Sequence, residues 1–196
     1  GKQTFVQSEI DKLRGWTKPH RVFIESMGDI AHESTPVEWF YVLWQAMADA
    51  LIVGHWYYLL TKRVGRLGAF LATVRGIVGE DAEWRVMVRA VVMTTIENQQ
   101  AADERLLRLV QIDALWRGVS VEPLVGPVSL GLLGTLPKDI APRYTAMHER
   151  LHWIIVGGMS GPAATPVHPE WVRTLRDECT QTKTAFFFKQ WGEWLP

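Results

Sequence analysis

The sequence predicts an α/β fold, a partial (β/α) barrel of about six parallel strands. Short apolar runs alternate with helical stretches along the 196 residues, and polar residues stand where the apolar runs end. This alternation is typical of βα units joined by right-handed crossovers. We expect a single domain, with residues 1–17 as an N-terminal extension and residues 124–150 as a long insertion before the penultimate strand. A doubly wound open sheet is the alternative.

The first half of the chain supplies three of these units. A strand from Arg21 to Ser26 precedes a capping box, Thr35 to Glu38, with proline at the first helical position. The helix that begins there should end at Gly54. We then expect, in chain order, a strand at 57–60, a short helix at 67–74, a loop at 76–81 and a β-rich run at 85–95.

The second half repeats the pattern around a long excursion. The segment 124–144 is rich in glycine and proline, which predicts at most short helices there. Around it we expect, in chain order, a helix at 101–111, strands at 118–121 and 153–156, a helix that Pro169 begins and that runs to Thr180, and a strand at 185–188.

Composition excludes several classes of protein. Lysine and arginine total 21 and so do aspartate and glutamate, so no global charge attracts nucleic acid or anionic membrane. Cys179 is the one cysteine, which excludes an internal disulfide framework. Apolar stretches are interrupted before they reach membrane-spanning length, and no secretory signal is recognisable. These features favour a cytoplasmic protein.

The candidate ligand-binding residues are those that follow the strands. In parallel sheets and barrels the strand ends converge, and ligands bind there. Carboxylates, cations and small loops at such a place can orient a small polar ligand, although strand ends also carry polar residues that only cap helices and pair with one another. The candidates are Ser26, Asp29, Thr61, Lys62, Arg63, Glu97, Asn98, Glu122, Gly157, Gly158, Ser160, Lys189 and Gln190.

Six ordered blocks carry a resemblance to a known family. They are RVFIESMGD (21–29), LTKR (60–63), TIEN (95–98), SVEPLVGP (120–127), IVGG (155–158) and HPEWVRTLRD through FFKQWG (168–177 and 187–192). The chain resembles the phage Gp37/Gp68 family, also called DUF5131 or the three-Cys-motif family, whose members are similar to radical SAM proteins. The resemblance implies a partial barrel with a [4Fe-4S] cluster and S-adenosylmethionine at the strand ends of a viral, phage-encoded protein in the host cytoplasm.

Two departures change what the resemblance implies for this chain. The family's segment of three closely spaced cysteines is not among these residues, and Cys179 cannot replace it. Met159 stands where the family has glutamate, which removes a carboxylate from the loop after the fifth strand. We therefore expect no [4Fe-4S] cluster and regard S-adenosylmethionine as a candidate ligand. The hypothesis is an accessory protein that binds a protein, nucleotide or nucleic-acid target. The alternative is a SAM- or nucleotide-dependent enzyme whose cluster segment comes from elsewhere.

A second motif competes with this hypothesis. His148, Glu149 and His152 satisfy the H-E-x-x-H pattern of zinc peptidases, in which both histidines lie on one helix and the glutamate is the general base. His168 or Glu170 could be a third ligand. The apolar run at 153–156 begins directly after His152, so a helix end with two solvated histidines is the favoured interpretation.

The first strand suggests a partner. If the strand from Arg21 to Ser26 lies at the sheet edge, its unpaired backbone groups need cover. A homodimer, a protein partner or residues Thr4 to Gln7 folding back could each supply that cover.

Overall fold

A computed structural model describes residues 4–132, 134, 149 and 151–195. Among these residues six strands form one sheet in the order β1-β2-β3-β4-β5-β6, so that neighbours in the sheet are also neighbours in the chain. The strands are β1 (Arg21–Ile24), β2 (Trp56–Thr61), β3 (Ala90–Thr95), β4 (Trp116–Val121), β5 (Trp153–Gly157) and β6 (Ala185–Gln190).

This strand order decides between the two predicted architectures. The registers of β1 with β2, β4 with β5 and β5 with β6 are all parallel. A doubly wound sheet would reverse its order at a switch point, and this sheet does not. The α/β class and the partial-barrel topology of six parallel strands are confirmed.

The described helices are α1 (Gln7–Gly15), α2 (Val37–Asp49), α3 (Val64–Val78), α4 (Glu80–Met87), α5 (Gln99–Gln111) and α6 (Pro169–Thr182), with a 3-10 turn at Leu51–Val53. None of them is long and apolar enough to cross a bilayer. The chain forms two compact units, Gly1–Val92 and Met93–Pro196.

The first unit has a core between β1, β2 and helices α1 to α4. Phe40, Leu59, Leu67 and Met87 are buried there. Helix α1 was not predicted. It lies within residues 1–17, which the sequence patterns indicated only as an N-terminal extension. It is stabilised by burial of its apolar residues and by an ion pair from Arg14 to Asp49 of α2, 2.8 Å long.

Two local predictions in this unit are wrong. The predicted capping box fails because Pro36, not Thr35, is the residue before the helix, and no side chain caps it. The predicted loop at 76–81 and the start of the β-rich run are helical, since α3 reaches Val78 and α4 covers Glu80–Met87. Acidic residues in the first turn of α4 suit the positive end of a helix dipole.

The second unit has its core between the sheet and helices α5 and α6. Every residue of β4 after Trp116 is buried, and Leu106, Leu109, Leu175 and Cys179 fill the helix side. The bond between Glu122 and Pro123 is cis. The described part of the long excursion, 124–132, contains no helix or strand, as predicted, and its remainder lies largely outside the described residues.

Candidate functional site

The polar residues after β1 and β2 meet around the carboxylate of Asp29. Its Oδ1 accepts hydrogen bonds from the Thr61 hydroxyl at 2.5 Å and the Ala31 N–H at 3.0 Å. Its Oδ2 accepts them from the Arg63 guanidinium at 2.8 Å and the Lys62 N–H at 3.3 Å. Burial alone would raise the pKa of Asp29, but these four donors outweigh burial, so that the pKa lies below its ordinary value.

This first cluster is bonded within itself. Arg63 also donates to Glu33 at 3.0 Å, and its N–H donates to the Thr61 hydroxyl at 2.9 Å. The network ties the loop after β1 to the start of α3. Four of the predicted site residues, Asp29, Thr61, Lys62 and Arg63, are therefore brought together, whereas Ser26 is exposed and lies outside their hydrogen bonds.

The polar residues after β4, β5 and β6 form a second cluster, around Glu122. The Lys189 ammonium donates to both carboxylate oxygens, at 2.9 and 3.1 Å. The Gln190 amide approaches the same carboxylate at 3.5 Å and the Ser160 hydroxyl at 3.3 Å. Four predicted residues from three separate strand ends thus meet, as expected from the convergence of parallel strands.

The glycines beside this second cluster have different structural roles. A Cβ on Gly157 would lie 3.0 Å from the Glu122 carboxyl, so the missing side chain makes room for that group. A Cβ on Gly158 would lie 1.8 Å from the carbonyl oxygen of Trp191, and one on Gly192 would lie 2.2 Å from that of Met159. Gly158 therefore serves close packing of two loops, and it forms no open cradle for phosphate.

An exposed aromatic residue lies in β6, two positions before Lys189. Ile155 pairs with Phe187 across β5 and β6, so the two side chains share one face of the sheet. Phe187 is 52% exposed although it lies in the middle of a phenylalanine run. By alternation Trp153 belongs to this same face. Beyond Phe188 the register shifts, so that Gly157 is level with Gln190 and Lys189 is the extra residue of β6. Sequence reasoning missed Phe187 because three successive phenylalanines indicate a strand buried on both faces, whereas β6 alternates between exposed and half-buried residues.

Glu97 and Asn98 do not reach the Glu122 cluster through their described bonds. The Asn98 side chain accepts from the Ala101 N–H at 2.9 Å and so caps helix α5. Glu97 is paired at 2.9 Å with Arg105 of the same helix, which also donates to the Thr95 carbonyl at 2.6 Å. These contacts give both residues a structural role at the start of α5.

The second histidine of the H-E-x-x-H motif, His152, does not lie in a helix. The N–H of His152 donates to the Arg117 carbonyl at 2.9 Å, and its carbonyl accepts from the Ala185 N–H at 3.3 Å. These are the bonds of a residue entering β5, as the position of the apolar run predicted. His148 lies outside the described residues. Within the described residues no three histidine, cysteine, aspartate or glutamate side chains are grouped as metal ligands.

Cys179 is buried in α6, where it packs in the core. Burial, followed by the nearby charge of Glu178, raises the pKa of its thiol to about 12. It is not part of a group of three metal-ligating side chains among the described residues.

Comparison with known proteins gives one match. The model of a family described as a protein of unknown function (DUF5131) matches residues 1–196. No curated protein and no solved structure matches the chain.

Proposed function

The chain belongs to the DUF5131 family, and we propose that its function is to bind a ligand. In our proposal the protein is a phage-type accessory protein of the host cytoplasm, built on a radical-SAM-like partial barrel. Its Glu122 cluster binds a small zwitterionic ligand of the nucleoside type, and S-adenosylmethionine is the first candidate.

The observation that carries this proposal is the pairing of opposite charges at the strand ends, with the exposed ring of Phe187 two positions before Lys189 in β6. Glu122 and Lys189 present a carboxylate and an ammonium group side by side. A ligand that carries an amino-acid group could exchange this internal pair for two pairs of its own, ammonium to Glu122 and carboxylate to Lys189. The exposed ring of Phe187 offers a stacking surface for a base.

The same geometry disfavours a simple phosphate ligand. Gly158, the residue that a phosphate loop would leave open, is filled by the Trp191 carbonyl. The cluster holds one carboxylate for each cation, so it has no excess positive charge for a phosphate group. Adenosine or an adenosyl amino acid is therefore expected to bind better than ATP.

S-adenosylmethionine brings a sulfonium group when it is bound. In the proposal Glu122 and Lys189 meet its charged ends and Phe187 meets its base, whereas no group of three metal-ligating side chains stands among the described residues. We therefore derive no radical step for this chain. The enzyme alternative requires cluster ligands from outside these residues.

Thermal denaturation with a set of ligands tests the proposal. S-adenosylmethionine at a hundredfold excess over its Kd should raise Tm by about 5 °C or more. Methionine and adenosine, which each contain half of the recognised groups, should raise Tm less. The variants Glu122→Gln and Lys189→Met should lose the shift, whereas Phe187→Ala should weaken adenosine but not methionine.

A matched control uses the exposed Glu170–Arg173 pair on α6 of the same unit. Glu170→Gln removes a carboxylate from an exposed ion pair whose described bonds do not reach the cluster, and it should leave the Tm shift intact. Absence of a Tm shift with all three ligands at millimolar concentration would overturn the proposal. So would an equal loss of the shift in Glu170→Gln.

A further inference from the structure

The side-chain amide of Gln190 lies between two oxygen atoms of the Glu122 cluster. Its nitrogen is 3.5 Å from Oε1 of Glu122 and 3.3 Å from Oγ of Ser160. Both distances exceed the ~2.9 Å that is typical of an N–H···O hydrogen bond. The Lys189 ammonium, in contrast, is 2.9 Å from the same Glu122 oxygen. The amide contacts are therefore the weaker part of the cluster and the easier part for a ligand to exchange.

The same three side chains can accept further hydrogen bonds from a nitrogen donor. A carboxylate oxygen and a hydroxyl oxygen each accept more than one hydrogen bond. The Gln190 side-chain oxygen accepts none from the described residues, and the Ser160 hydroxyl has no partner among them besides Gln190. A half-turn of the amide exchanges its nitrogen and its oxygen, which have nearly the same shape. After that turn, three oxygen acceptors from three side chains face one place.

Glu193 holds the loop on both sides of Ser160. Its N–H donates to the Met159 carbonyl at 3.0 Å, and its carboxylate accepts a hydrogen bond from the Gly161 N–H at 3.3 Å. The neighbours of Ser160 in the chain are thus joined to the segment that follows β6. A group that is already in place loses less conformational freedom when a ligand binds. Ser160 is therefore positioned by the fold before a ligand arrives.

A primary ammonium group matches this arrangement of acceptors. It has three N–H donors and no acceptor, and the Glu122 carboxylate balances its charge with a charge-assisted hydrogen bond. An acylated amine has one N–H and no charge, and a quaternary ammonium group has no N–H at all. Either of these groups leaves oxygen atoms of the site without a donor, which is unfavourable when the ligand covers them.

We propose that Ser160 and Gln190 select a primary ammonium group, so that the ligands of the Glu122 cluster are free α-amino acids and their adenosyl derivatives. The ammonium group binds to Glu122, Ser160 and the turned amide of Gln190, while the ligand carboxylate binds to Lys189. This inference rests on the proposed function and adds to it the two residues that recognise the amine of the ligand.

Three small probes separate the two charged ends of such a ligand. Methionine has both ends, methioninol keeps the ammonium group without the carboxylate, and N-acetylmethionine keeps the carboxylate without the ammonium group. Calorimetric titration of the full chain, in competition with S-adenosylmethionine, gives the Kd of each probe. N-acetylmethionine should bind at least about tenfold more weakly than methionine, because it cannot make the charge-assisted bonds to Glu122.

Variants of the two selecting residues should act on the ammonium end alone. Ser160→Ala and Gln190→Leu should each raise the Kd of methionine and of methioninol about tenfold, the effect of one lost hydrogen bond to a charged group. Neither should change the Kd of N-acetylmethionine. Gln190→Glu keeps the acceptor and adds a negative charge, so it should bind methioninol at least as well as the native protein does and N-acetylmethionine less well.

Two controls show that the variants are otherwise intact. Thr180→Ala removes an exposed hydroxyl that donates to the Arg176 carbonyl at 2.9 Å within α6, and it should change no Kd. 5′-Methylthioadenosine has no amino-acid group, so it should bind equally to the native protein, Ser160→Ala and Gln190→Leu.

The possible results separate this inference from the proposed function. Failure of every ligand to bind the native protein at millimolar concentration would overturn both. If methionine binds, but Ser160→Ala and Gln190→Leu raise the Kd of methionine and of N-acetylmethionine by the same factor, the two residues do not select the amine and only this inference is wrong. Equal affinity of the native protein for methionine and N-acetylmethionine would lead to the same conclusion.

Discussion

The carboxylate of Glu122 and the ammonium group of Lys189 are joined by two hydrogen bonds, 2.9 and 3.1 Å long. The residues are separated by 67 positions in the chain. The lysine side chain is 51% exposed and the glutamate side chain 21%. Ion pairs with this exposure contribute at most about 1 kcal/mol to stability.

Removal of either charge should therefore leave the protein folded. We expect Glu122→Gln and Lys189→Met each to change the free energy of unfolding by less than about 1 kcal/mol. Urea denaturation measures this change. A loss above about 2 kcal/mol in both variants would show that the ion pair is needed for stability. The ligand experiments would then have to use these two substitutions in a stabilised background.

The two glycines that pack the loops after β5 and β6 should be intolerant of a side chain. Gly158→Ala and Gly192→Ala place a Cβ against backbone, and Gly192 also has a φ of 86°. We expect each to cost more than about 2 kcal/mol of unfolding free energy. Thermal denaturation of both variants checks this prediction.

Gly76 is the matched control. It lies within α3, and a Cβ there would meet nothing within 4 Å. Gly76→Ala should stabilise the protein by about 0.5 to 1 kcal/mol, because alanine is the better helix former. Equal losses at all three glycines would contradict the packing argument.

Asp29 should make the first unit sensitive to acid. Its pKa is lower in the folded protein than in the unfolded chain, so its contribution is complete above about pH 4. That contribution is lost as the pH falls through the folded pKa. Asp29→Asn should cost about 2 kcal/mol at pH 7, the usual cost of losing hydrogen bonds to a charged group, and the difference from the native protein should shrink as the pH falls through the folded pKa of Asp29.

Denaturation curves measured from pH 2 to pH 7 test this prediction. Asp177, which is exposed beside Arg176, provides the control. Asp177→Asn should change stability by less than about 0.5 kcal/mol at every pH. If the unfolding free energy of Asp29→Asn differs from that of the native protein by the same amount at every pH, the effect of the substitution does not come from the ionisation of Asp29.

His55 should destabilise the first unit near pH 6. Its Nδ1 accepts a hydrogen bond from the His20 N–H at 3.0 Å, which fixes the neutral tautomer, and its Nε2 is buried without a hydrogen-bond partner among the described residues. Burial, followed by the charge of His20, lowers its pKa. Stability is therefore complete above the unfolded pKa of about 6.5 and falls as the pH drops toward the folded value.

His55→Asn separates this titration from the contact. Asparagine can accept the same hydrogen bond but does not titrate, so the variant should lose less stability between pH 7 and pH 5 than the native protein. The slope per pH for one group cannot exceed about 1.4 kcal/mol. Identical slopes in the two proteins would assign the acid sensitivity to other groups.

Sequence patterns predicted all six strands, although the third begins at Ala90 and not at Arg85, because the apolar runs are bounded by turn residues. They failed where tertiary contacts decide the local structure. Val86 is β-favouring in sequence, yet it is buried in α4, whose Glu83 bonds to Arg75 of α3. Thr35 matches a cap in sequence, but the extended φ and ψ of Pro36 move the helix start one residue onward.

The candidate site was predictable in its location but not in its internal bonds. Convergence of strand ends placed Glu122, Ser160, Lys189 and Gln190 together. No sequence pattern shows that Asp29 has all four acceptor positions occupied by neighbouring donors. That outcome depends on the path of two loops, which residue spacing does not specify.

The order of the strands has a consequence for folding during synthesis. Each described strand pairs with the one synthesised just before it. A sheet of this kind can form strand by strand while the chain leaves the ribosome. Each new strand pairs with the strand made just before it, so no strand needs a partner from a more distant part of the chain. Among the described strands, β6 is the last to be synthesised and the last to join the sheet.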